Sequence, residues 1–250
     1  MINILLSGCN GAMGRVIAAR AEEREDCRIS AGLDINTQSN GAFPVFGNAE
    51  DIDAPVDVVI DFSHPSALSG VLRYALQNKK PIVVATTGLS EEQIHSLHLA
   101  SSQIPVFFSA NMSLGVNLLS ELCKKAAEVL GNDFDIEIIE AHHNKKIDAP
   151  SGTALLLANA VSEGLSYQPV YEYNRQAKRE RRTKHEIGIH AIRGGTIVGE
   201  HEVMFAGNDE IITLRHSARS KAVFATGALN AALFLQQQKP GMYSMKDMIA

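Results

Sequence analysis

The chain has few cysteines, no long apolar run and no excess of positive charge, and each absence excludes a class of protein. Its three cysteines, Cys9, Cys27 and Cys123, are widely spaced and odd in number, which fits reduced thiols better than a disulfide framework or a zinc site. The apolar run at the amino terminus is too short for a signal peptide or a membrane span. A formal net charge of −5 argues against general nucleic-acid binding. We therefore expect a cytoplasmic protein with neither nucleic acid nor membrane as a partner.

The amino-terminal half alternates short apolar strands with helices. The pattern predicts strands at residues 2–7, 28–33, 56–62, 81–85 and 105–109, separated by helices from about residues 15, 65 and 90. Near-continuous apolar strands between helices indicate a parallel sheet covered on both faces. The fold class is therefore predicted to be α/β, beginning with a Rossmann-like domain.

The first predicted strand runs into a glycine turn, Gly8-Cys-Asn-Gly-Ala-Met-Gly14, and then into a helix. Glycines in this position permit a tight turn and close approach of a pyrophosphate to the helix amino terminus. Asp34 ends the second strand, where a carboxylate can accept hydrogen bonds from an adenosine ribose. The spacing Gly-x-x-Gly-x-x-Gly is weak evidence alone, but this context predicts a dinucleotide site. Cys9 either lies beside the pyrophosphate or points into the helix packing.

Small or polar residues stand where the later strands end, at residues 62–64, 86–88 and 110–112. Each group could form an ordinary turn. Because ligands of parallel sheets bind beyond the carboxyl ends of the strands, together they predict the rim of a dinucleotide groove.

The second part of the chain has strands at about residues 134–140, 186–193, 196–205 and 210–216, with helices at 113–130, after Thr153 and at 220–236. This pattern predicts an α+β substrate-binding and oligomerisation domain over residues 113–218. The dinucleotide-binding domain would span residues 1–112, with the segment 219–250 returning to it. Alternating antiparallel strands would leave one sheet face needing cover, which favours oligomerisation through the sheet.

Residues 140–154, Glu-Ala-His-His-Asn-Lys-Lys-Ile-Asp-Ala-Pro-Ser-Gly-Thr-Ala, lie between a predicted strand and a predicted helix. Ser151 or Asp148 can cap this helix, and the amides of Gly152 and Thr153 would then point outwards, where a carboxylate or phosphate binds readily. Histidine suits proton transfer near neutral pH. The segment therefore predicts a loop that binds and protonates a small anion. The alternative is a solvated turn with two surface histidines.

Together these residues resemble the 4-hydroxy-tetrahydrodipicolinate reductase family of lysine biosynthesis. The resemblance spans essentially the whole chain, and residues 140–154 match the family signature without a break; supporting segments are residues 8–15, 85–88, 109–117 and 192–201. It implies a homotetrameric oxidoreductase that transfers hydride from NADH or NADPH to a cyclic, unsaturated dicarboxylate.

The resemblance also implies the role of each candidate residue. His142 would be the general acid, and Lys146 would hold substrate and assist. The carboxylates of the substrate would be bound by His143, Lys145, Ser151, Gly152 and Thr153. The cofactor would contact Gly8, Gly11, Ala12, Met13 and Gly14 at the pyrophosphate, Asp34 at the ribose, and Ala85, Thr86, Thr87, Ala110, Asn111 and Met112 beside the nicotinamide. No metal ion is implied.

Asp34 and its neighbours bear on the choice of cofactor. Asp34 stands where the family commonly has Glu, and Ile35 stands where a basic residue often sits. A 2′-phosphate would meet repulsion from the carboxylate, and residues 35–40 contain no cation to offset it. We therefore expect NADH to be used at least as well as NADPH, with Arg15 the first candidate to reach a phosphate.

Other interpretations remain open from the sequence. The chain could be another nucleotide-dependent reductase, acting on an aldehyde or hydroxy acid, or an NAD(P)H sensor without turnover. A metal-dependent hydrolase using histidines with Asp61, Asp135 or Asp148 lacks the His-x-x-x-His or Cys-x-x-Cys spacing. The basic segment 175–184 is either a solvated loop or a means of attracting a dianion. The residues after Arg193, Gly194-Gly195, form either a simple hairpin or a ligand-facing turn.

Overall fold

A computed structural model describes residues 1–39 and 43–249, and the chain divides into two compact units. The first unit comprises Met1–Leu114 with Lys221–Ala250, and the second comprises Gly115–Ser220. The predicted fold class is confirmed: a parallel α/β sheet is followed by a second, mixed sheet with helices. None of the helices in the described ranges combines the length and apolar character needed to cross a bilayer.

Twelve strands and seven helices are numbered in chain order within the described residues. The strands are β1 (Ile2–Ser7), β2 (Cys27–Leu33), β3 (Val45–Phe46), β4 (Val58–Asp61), β5 (Ile82–Val84), β6 (Pro105–Phe108), β7 (Asp135–His142), β8 (Val170–Glu172), β9 (Glu186–Arg193), β10 (Gly199–Ala206), β11 (Ile211–Ala218) and β12 (Gly241–Tyr243). The helices are α1 (Ala12–Glu22), α2 (Leu68–Gln77), α3 (Glu91–Ala100), α4 (Leu114–Leu130), α5 (Gly152–Gly164), α6 (Ala222–Leu235) and α7 (Met245–Ile249).

The first unit is built on a seven-stranded parallel sheet in the order β12-β6-β5-β4-β1-β2-β3. Successive residues of its strands face opposite sides: Ile4 packs in a cluster with α1 and α6, whereas Leu5 packs in a cluster with α2 and α3. The strand order reverses between β1 and β4. In such a sheet the crevice beyond the carboxyl ends at this reversal is where ligands bind.

The second unit contains a five-stranded sheet in the order β11-β10-β7-β9-β8. The pairs β11–β10 and β10–β7 are antiparallel, but β7–β9 and β9–β8 are parallel. The expectation of alternating antiparallel strands was therefore wrong for half of the sheet. The chain leaves β7 through α5 before it reaches β8, and a strand that follows such a helical crossover runs parallel to its predecessor. One face of the sheet packs on α4 and α5.

Candidate functional site

The glycine turn after β1 leaves the amino terminus of α1 open to a ligand. Gly8 has a φ of 77°, and a Cβ there would lie 2.7 Å from the carbonyl oxygen of Phe62. A Cβ on Gly14 would lie 2.1 Å from the carbonyl oxygen of Gly8. Gly11, the N-cap of α1, offers no side-chain acceptor to the amides of the first turn. These amides remain suited to bind a pyrophosphate at the positive end of the helix dipole. In this turn Gly11 and Ala12 are exposed and Met13 is half-buried.

Asp34 follows β2 on the wall of a cavity of about 840 Å³. Its carboxylate accepts hydrogen bonds from the backbone amides of Asn10 and Asn36, both at 3.0 Å. Gly8 and Gly11 line the same cavity, which therefore connects the glycine turn with the carboxylate. A dinucleotide needs this arrangement, because its pyrophosphate and its adenosine ribose are adjacent.

The residues expected beside the nicotinamide differ in their exposure to solvent. Thr86 is buried, and its hydroxyl donates to the carboxylate of Asp61 at 2.7 Å. Asp61 is also buried and accepts from the hydroxyl of Ser63 at 2.6 Å. These bonds tie the ends of β4 and β5 together, so Asp61 is an internal acceptor. Thr87 and Ala110 are exposed, Asn111 is half-buried, and Ala85 and Met112 are buried.

The side chain of Cys9 points from the turn into the core, against β2. Its thiol is buried, and a Cβ on Gly32 would lie 2.5 Å from the sulfur. Burial, followed by the charge of Asp34, raises the pKa of the Cys9 thiol to about 11. A thiol with these properties is a poor nucleophile, and the geometry favours the packing interpretation of Cys9 over a reactive position at the pyrophosphate.

In the second unit, β7 places Glu140 and His142 on its buried face. The residues of β7 alternate between half-buried and buried, and these two continue the row begun by Ile136 and Ile138. Glu140 has no exposed surface. His142 is the last residue of the strand, where it pairs with Arg193 of β9. The prediction that the whole basic cluster lies on the loop was therefore wrong for His142, since pairing extends the strand to this residue.

Glu140 is the centre of a hydrogen-bond network around His142. Its Oε2 lies 2.6 Å from Nδ1 of His142 and accepts from Nη1 of Arg193 at 2.8 Å. Its Oε1 accepts from Nη2 of Arg193 at 2.8 Å and from the backbone amide of Ser151 at 3.0 Å. Burial alone would raise the pKa of Glu140, but these donors together hold it below its ordinary value. Glu140 is therefore an ionised acceptor near neutral pH.

Arg193 is occupied by acceptors from the protein. Besides its two contacts with Glu140, its Nη2 donates to the carbonyl oxygen of Asp148 at 2.6 Å. The Glu140 carboxylate raises the pKa of Arg193 further above its ordinary value. The next residue, Gly194, donates its amide to the carbonyl oxygen of His142 at 2.9 Å. Because β9 and β10 lie on opposite sides of β7, this turn is not a hairpin between neighbouring strands.

The loop after β7 is held by hydrogen bonds on both sides of Pro150. Lys146 donates to the carboxylate of Asp148 at 2.8 Å, which holds the pKa of Asp148 below its ordinary value. Ser151 is the N-cap of α5, and its hydroxyl accepts from the amide of Ala154 at 3.1 Å, so the alternative of an Asp148 cap was wrong. Nothing lies within 4 Å of a Cβ built on Gly152, which leaves space beside the first amides of α5. Of the other candidates, Lys145 is exposed, whereas His143 and Thr153 are half-buried.

His201 on β10 is a buried histidine beside His142. Its ring centroid lies 5.1 Å from that of His142, and its Nε2 lies 2.9 Å from Oγ of Ser151. Burial, followed by the proximity of His142, lowers the pKa of His201 to about 4. It is therefore neutral near pH 7. Gly199 is on the same strand, and a Cβ there would lie 3.2 Å from Nε2 of His142.

Part of the basic segment 175–184 pairs with carboxylates of its own unit. The ion pairs are Arg175–Glu186, Lys178–Glu172 and Arg182–Asp135. These contacts commit half of its six basic residues to holding the segment in place. Attraction of a dianion by this segment stays a prediction.

Comparison with known proteins identifies one family over nearly the whole chain. The family models described as "Dihydrodipicolinate reductase, N-terminus" and "Dihydrodipicolinate reductase, C-terminus" match residues 2–112 and 115–249. A 4-hydroxy-tetrahydrodipicolinate reductase from Caldanaerobacter subterraneus subsp. tengcongensis is 52% identical over 249 residues, with 100% of this chain and 98% of the relative covered. The protein of the same name from Clostridium tetani is 48% identical over 249 residues, with 100% of this chain and 97% of that relative covered.

A solved structure has the same fold. The dipicolinate-bound dihydrodipicolinate reductase from Paenisporosarcina sp. TG-14 superimposes with a TM-score of 0.84. The two chains are 25% identical, and 99% of each is covered. The likeness therefore extends over both units of the chain.

Proposed function

The chain belongs to the dihydrodipicolinate reductase family, and we propose that it reduces 4-hydroxy-tetrahydrodipicolinate to tetrahydrodipicolinate in lysine and diaminopimelate biosynthesis. One observation carries this conclusion. It is that full-length relatives bear the name of this reductase, and the hydrogen-bonded unit that residues 140–154 form around His142 accords with it. The reductant is a nicotinamide dinucleotide, which supplies a hydride when bound.

The first unit binds the dinucleotide in this proposal. The amides of the Gly8–Gly14 turn hold the pyrophosphate, and Asp34 accepts from the adenosine ribose. Two observations support the assignment: side chains at Gly8 and Gly14 would collide with backbone, and Asp34 lines the same cavity as the turn. Residues 85–87 and 110–112 flank the nicotinamide.

The second unit binds the dicarboxylate and supplies the proton. His142 is the general acid, and Lys146 holds the substrate and stabilises the electron-rich ring that forms on reduction. The substrate carboxylates are bound by His143, Lys145, Ser151, Gly152 and Thr153. The open space beside Gly152 at the start of α5 supports an anion site there.

The enzyme uses NADH at least as well as NADPH. Asp34 repels a 2′-phosphate, and Ile35 beside it is fully exposed and apolar. Among the described residues that line the cavity, Arg73 on α2 is the only lysine or arginine. Arg73 therefore joins Arg15 as a candidate to bind a 2′-phosphate. A preference for NADH is expected, with NADPH still used.

The protein assembles as a homotetramer through the sheet of the second unit, in the cytoplasm. The face of this sheet opposite to α4 and α5 carries half-buried and exposed apolar side chains, including Ile192 and Ile211, which are 50% and 63% exposed. Large apolar side chains on an open sheet face favour association with another copy. Light scattering after size-exclusion chromatography tests this: a monomer at micromolar concentration contradicts it.

Oxidation of NADH and NADPH with freshly generated 4-hydroxy-tetrahydrodipicolinate tests reaction and cofactor together. We expect turnover that survives a chelator, since no three His, Cys, Asp or Glu side chains group as metal ligands in the described part of the chain. His142→Gln should lower kcat by about 10²- to 10⁴-fold with unchanged NADH binding, and Lys146→Ala should act likewise. A folded His142→Gln enzyme with native turnover removes His142 from the mechanism, and cofactor binding without any turnover supports the sensor interpretation.

A further inference from the structure

Glu140 and Arg193 have no chemical step in the proposed reaction, yet Glu140 contacts His142, and Arg193 contacts the loop that carries Lys146. We propose that the Glu140–Arg193 ion pair is the positioning element of this site, which holds His142 with its Nδ1 protonated and fixes the loop that carries Lys146. The proposal rests on the role of His142 given above and adds two residues to it. Both act through other residues and are therefore positioning residues.

Glu140 fixes the tautomer of the His142 imidazole ring. An ionised carboxylate only accepts hydrogen bonds, so its 2.6 Å contact requires the proton of His142 to be on Nδ1. Nε2 is then the nitrogen left for the substrate. The absence of a side chain at Gly199 keeps this nitrogen uncovered, because a Cβ there would lie 3.2 Å from it. In the imidazolium form both nitrogens carry protons, and the proton on Nδ1 still has Glu140 as its acceptor.

The ion pair also holds the loop after β7. Arg193 binds both oxygens of Glu140 and, with Nη2, the carbonyl oxygen of Asp148. The side chain of Asp148 accepts from Lys146. The ion pair therefore connects the end of β7 with the loop, and the bond from the Ser151 amide to Glu140 connects it with the start of α5. One buried pair thus sets the relative positions of the expected proton donor, the expected lysine and the helix start.

Packing alone would not require these charges. A buried ion pair costs desolvation that apolar residues of similar volume avoid, so it is weak evidence for a contribution to stability. Here the pair is deeply buried on the Glu140 side and makes directional contacts with three other residues of the site, His142, Ser151 and Asp148. Directional contacts to reacting groups are what a positioning role requires.

The variant Glu140→Gln tests whether Glu140 sets the tautomer of the His142 imidazole ring. The amide carbonyl should take the Oε1 position, where the fixed backbone donor of Ser151 lies, so the NH2 group faces Nδ1 of His142 and inverts its tautomer. We expect kcat to fall by about 10²- to 10⁴-fold, because a histidine that loses its orienting carboxylate can lose as much as the general acid itself contributes. The alkaline limb of the kcat pH profile should move to lower pH, and KM for NADH should not change. Native kcat and an unchanged profile in the folded variant overturn the proposal.

The variant Arg193→Lys tests whether Arg193 holds the loop that carries Lys146. A lysine keeps the positive charge beside Glu140 but lacks the guanidinium group that also reaches Asp148. We expect KM for the dicarboxylate to rise about tenfold while the pH profile keeps its shape; a native KM refutes the part of the proposal that concerns the loop. If Glu140→Gln does not fold, the double variant Glu140→Gln/Arg193→Gln removes both charges, and the same displaced pH profile is expected from it.

The control is Glu163→Gln, which breaks the exposed pair with Lys124 in the same unit and should leave all kinetic constants native. Nitrogen-15 NMR of the histidines reads the tautomer of His142 directly and is independent of rate. An inactive His142→Gln together with a native-like Glu140→Gln refutes the positioning role and leaves the proposed function intact. Native turnover of His142→Gln contradicts the role of His142 instead.

Discussion

His201 should make the free energy of unfolding of the second unit depend on pH in the acid range. Its pKa is lowered from 6.5 to about 4 in the folded protein, first by burial and then by His142. Between these two values the unfolded chain binds more protons than the folded chain, so the free energy of unfolding falls as the pH falls. The contribution of the neutral side chain to the free energy of unfolding is complete above pH 6.5. It is lost progressively as the pH falls from 6.5 to about 4.

The magnitude follows from the two pKa values. One pKa unit corresponds to about 1.4 kcal/mol, so the complete loss is roughly 3 kcal/mol by pH 4. Integration of the proton uptake between pH 7 and pH 5 gives a loss of roughly 2 kcal/mol. Glu140, whose pKa is held down, and His216, whose pKa is lowered by burial, act in the same direction, so the total acid sensitivity should exceed the part due to His201.

The assay is urea unfolding at pH 7 and pH 5 for the native chain and for His201→Gln. Because the chain has no tryptophan, far-UV circular dichroism is the appropriate signal. Glutamine removes the titrating group but retains a polar atom near Ser151, so the difference between the two pH values should shrink by roughly 2 kcal/mol. His185→Gln is the control, since His185 is an exposed histidine of the same unit. An equal pH difference in the native chain and His201→Gln refutes the reasoning.

Three further predictions concern the cofactor and the substrate. Ile35→Arg should raise the NADPH/NADH ratio of kcat/KM about tenfold, because it provides a cation beside Asp34; an unchanged ratio in steady-state kinetics would show that the 2′-phosphate does not approach residue 35. Under native conditions N-ethylmaleimide should not label Cys9, given its burial and raised pKa, and mass spectrometry that finds Cys9 labelled before unfolding contradicts the packing described here. Pyridine-2,6-dicarboxylate should compete with the substrate, whereas inhibition by pyridine-2-carboxylate should be at least about tenfold weaker, as the loss of one charge-assisted contact implies; equal inhibition by the two means that the site does not bind both carboxylates.

Much of the fold could be predicted because most strands are apolar and bounded by turn residues. The prediction for β9 has the same limits as the observed strand, residues 186–193. The edge strands β3, β8 and β12 were missed because each is two or three residues long and is defined by pairing with a neighbour. Strand direction in the second sheet was also not readable, since hydrophobic periodicity is the same for parallel and antiparallel strands.

The residue types of the site could be read from the sequence, but their arrangement could not. Glu140 and Arg193 are 53 residues apart, and no local pattern connects them. One signal was present: in a strand that alternates, Glu140 falls on the same face as Ile136 and Ile138. A carboxylate on the apolar face of a strand needs a buried partner, and this requirement points to a cation elsewhere in the chain.

The length of the segment 140–154 has a physical explanation in this network. Glu140 binds His142 and the amide of Ser151, and Ser151 caps α5, so the two ends of the segment are joined through one carboxylate. Lys146, which lies between these two ends, is held by Asp148 of the same segment. A contiguous motif of this kind nevertheless needs Arg193 to neutralise its buried charge. The anion site is therefore a property of two strands of the sheet, and the motif alone, moved to another fold without Arg193, should not reproduce it.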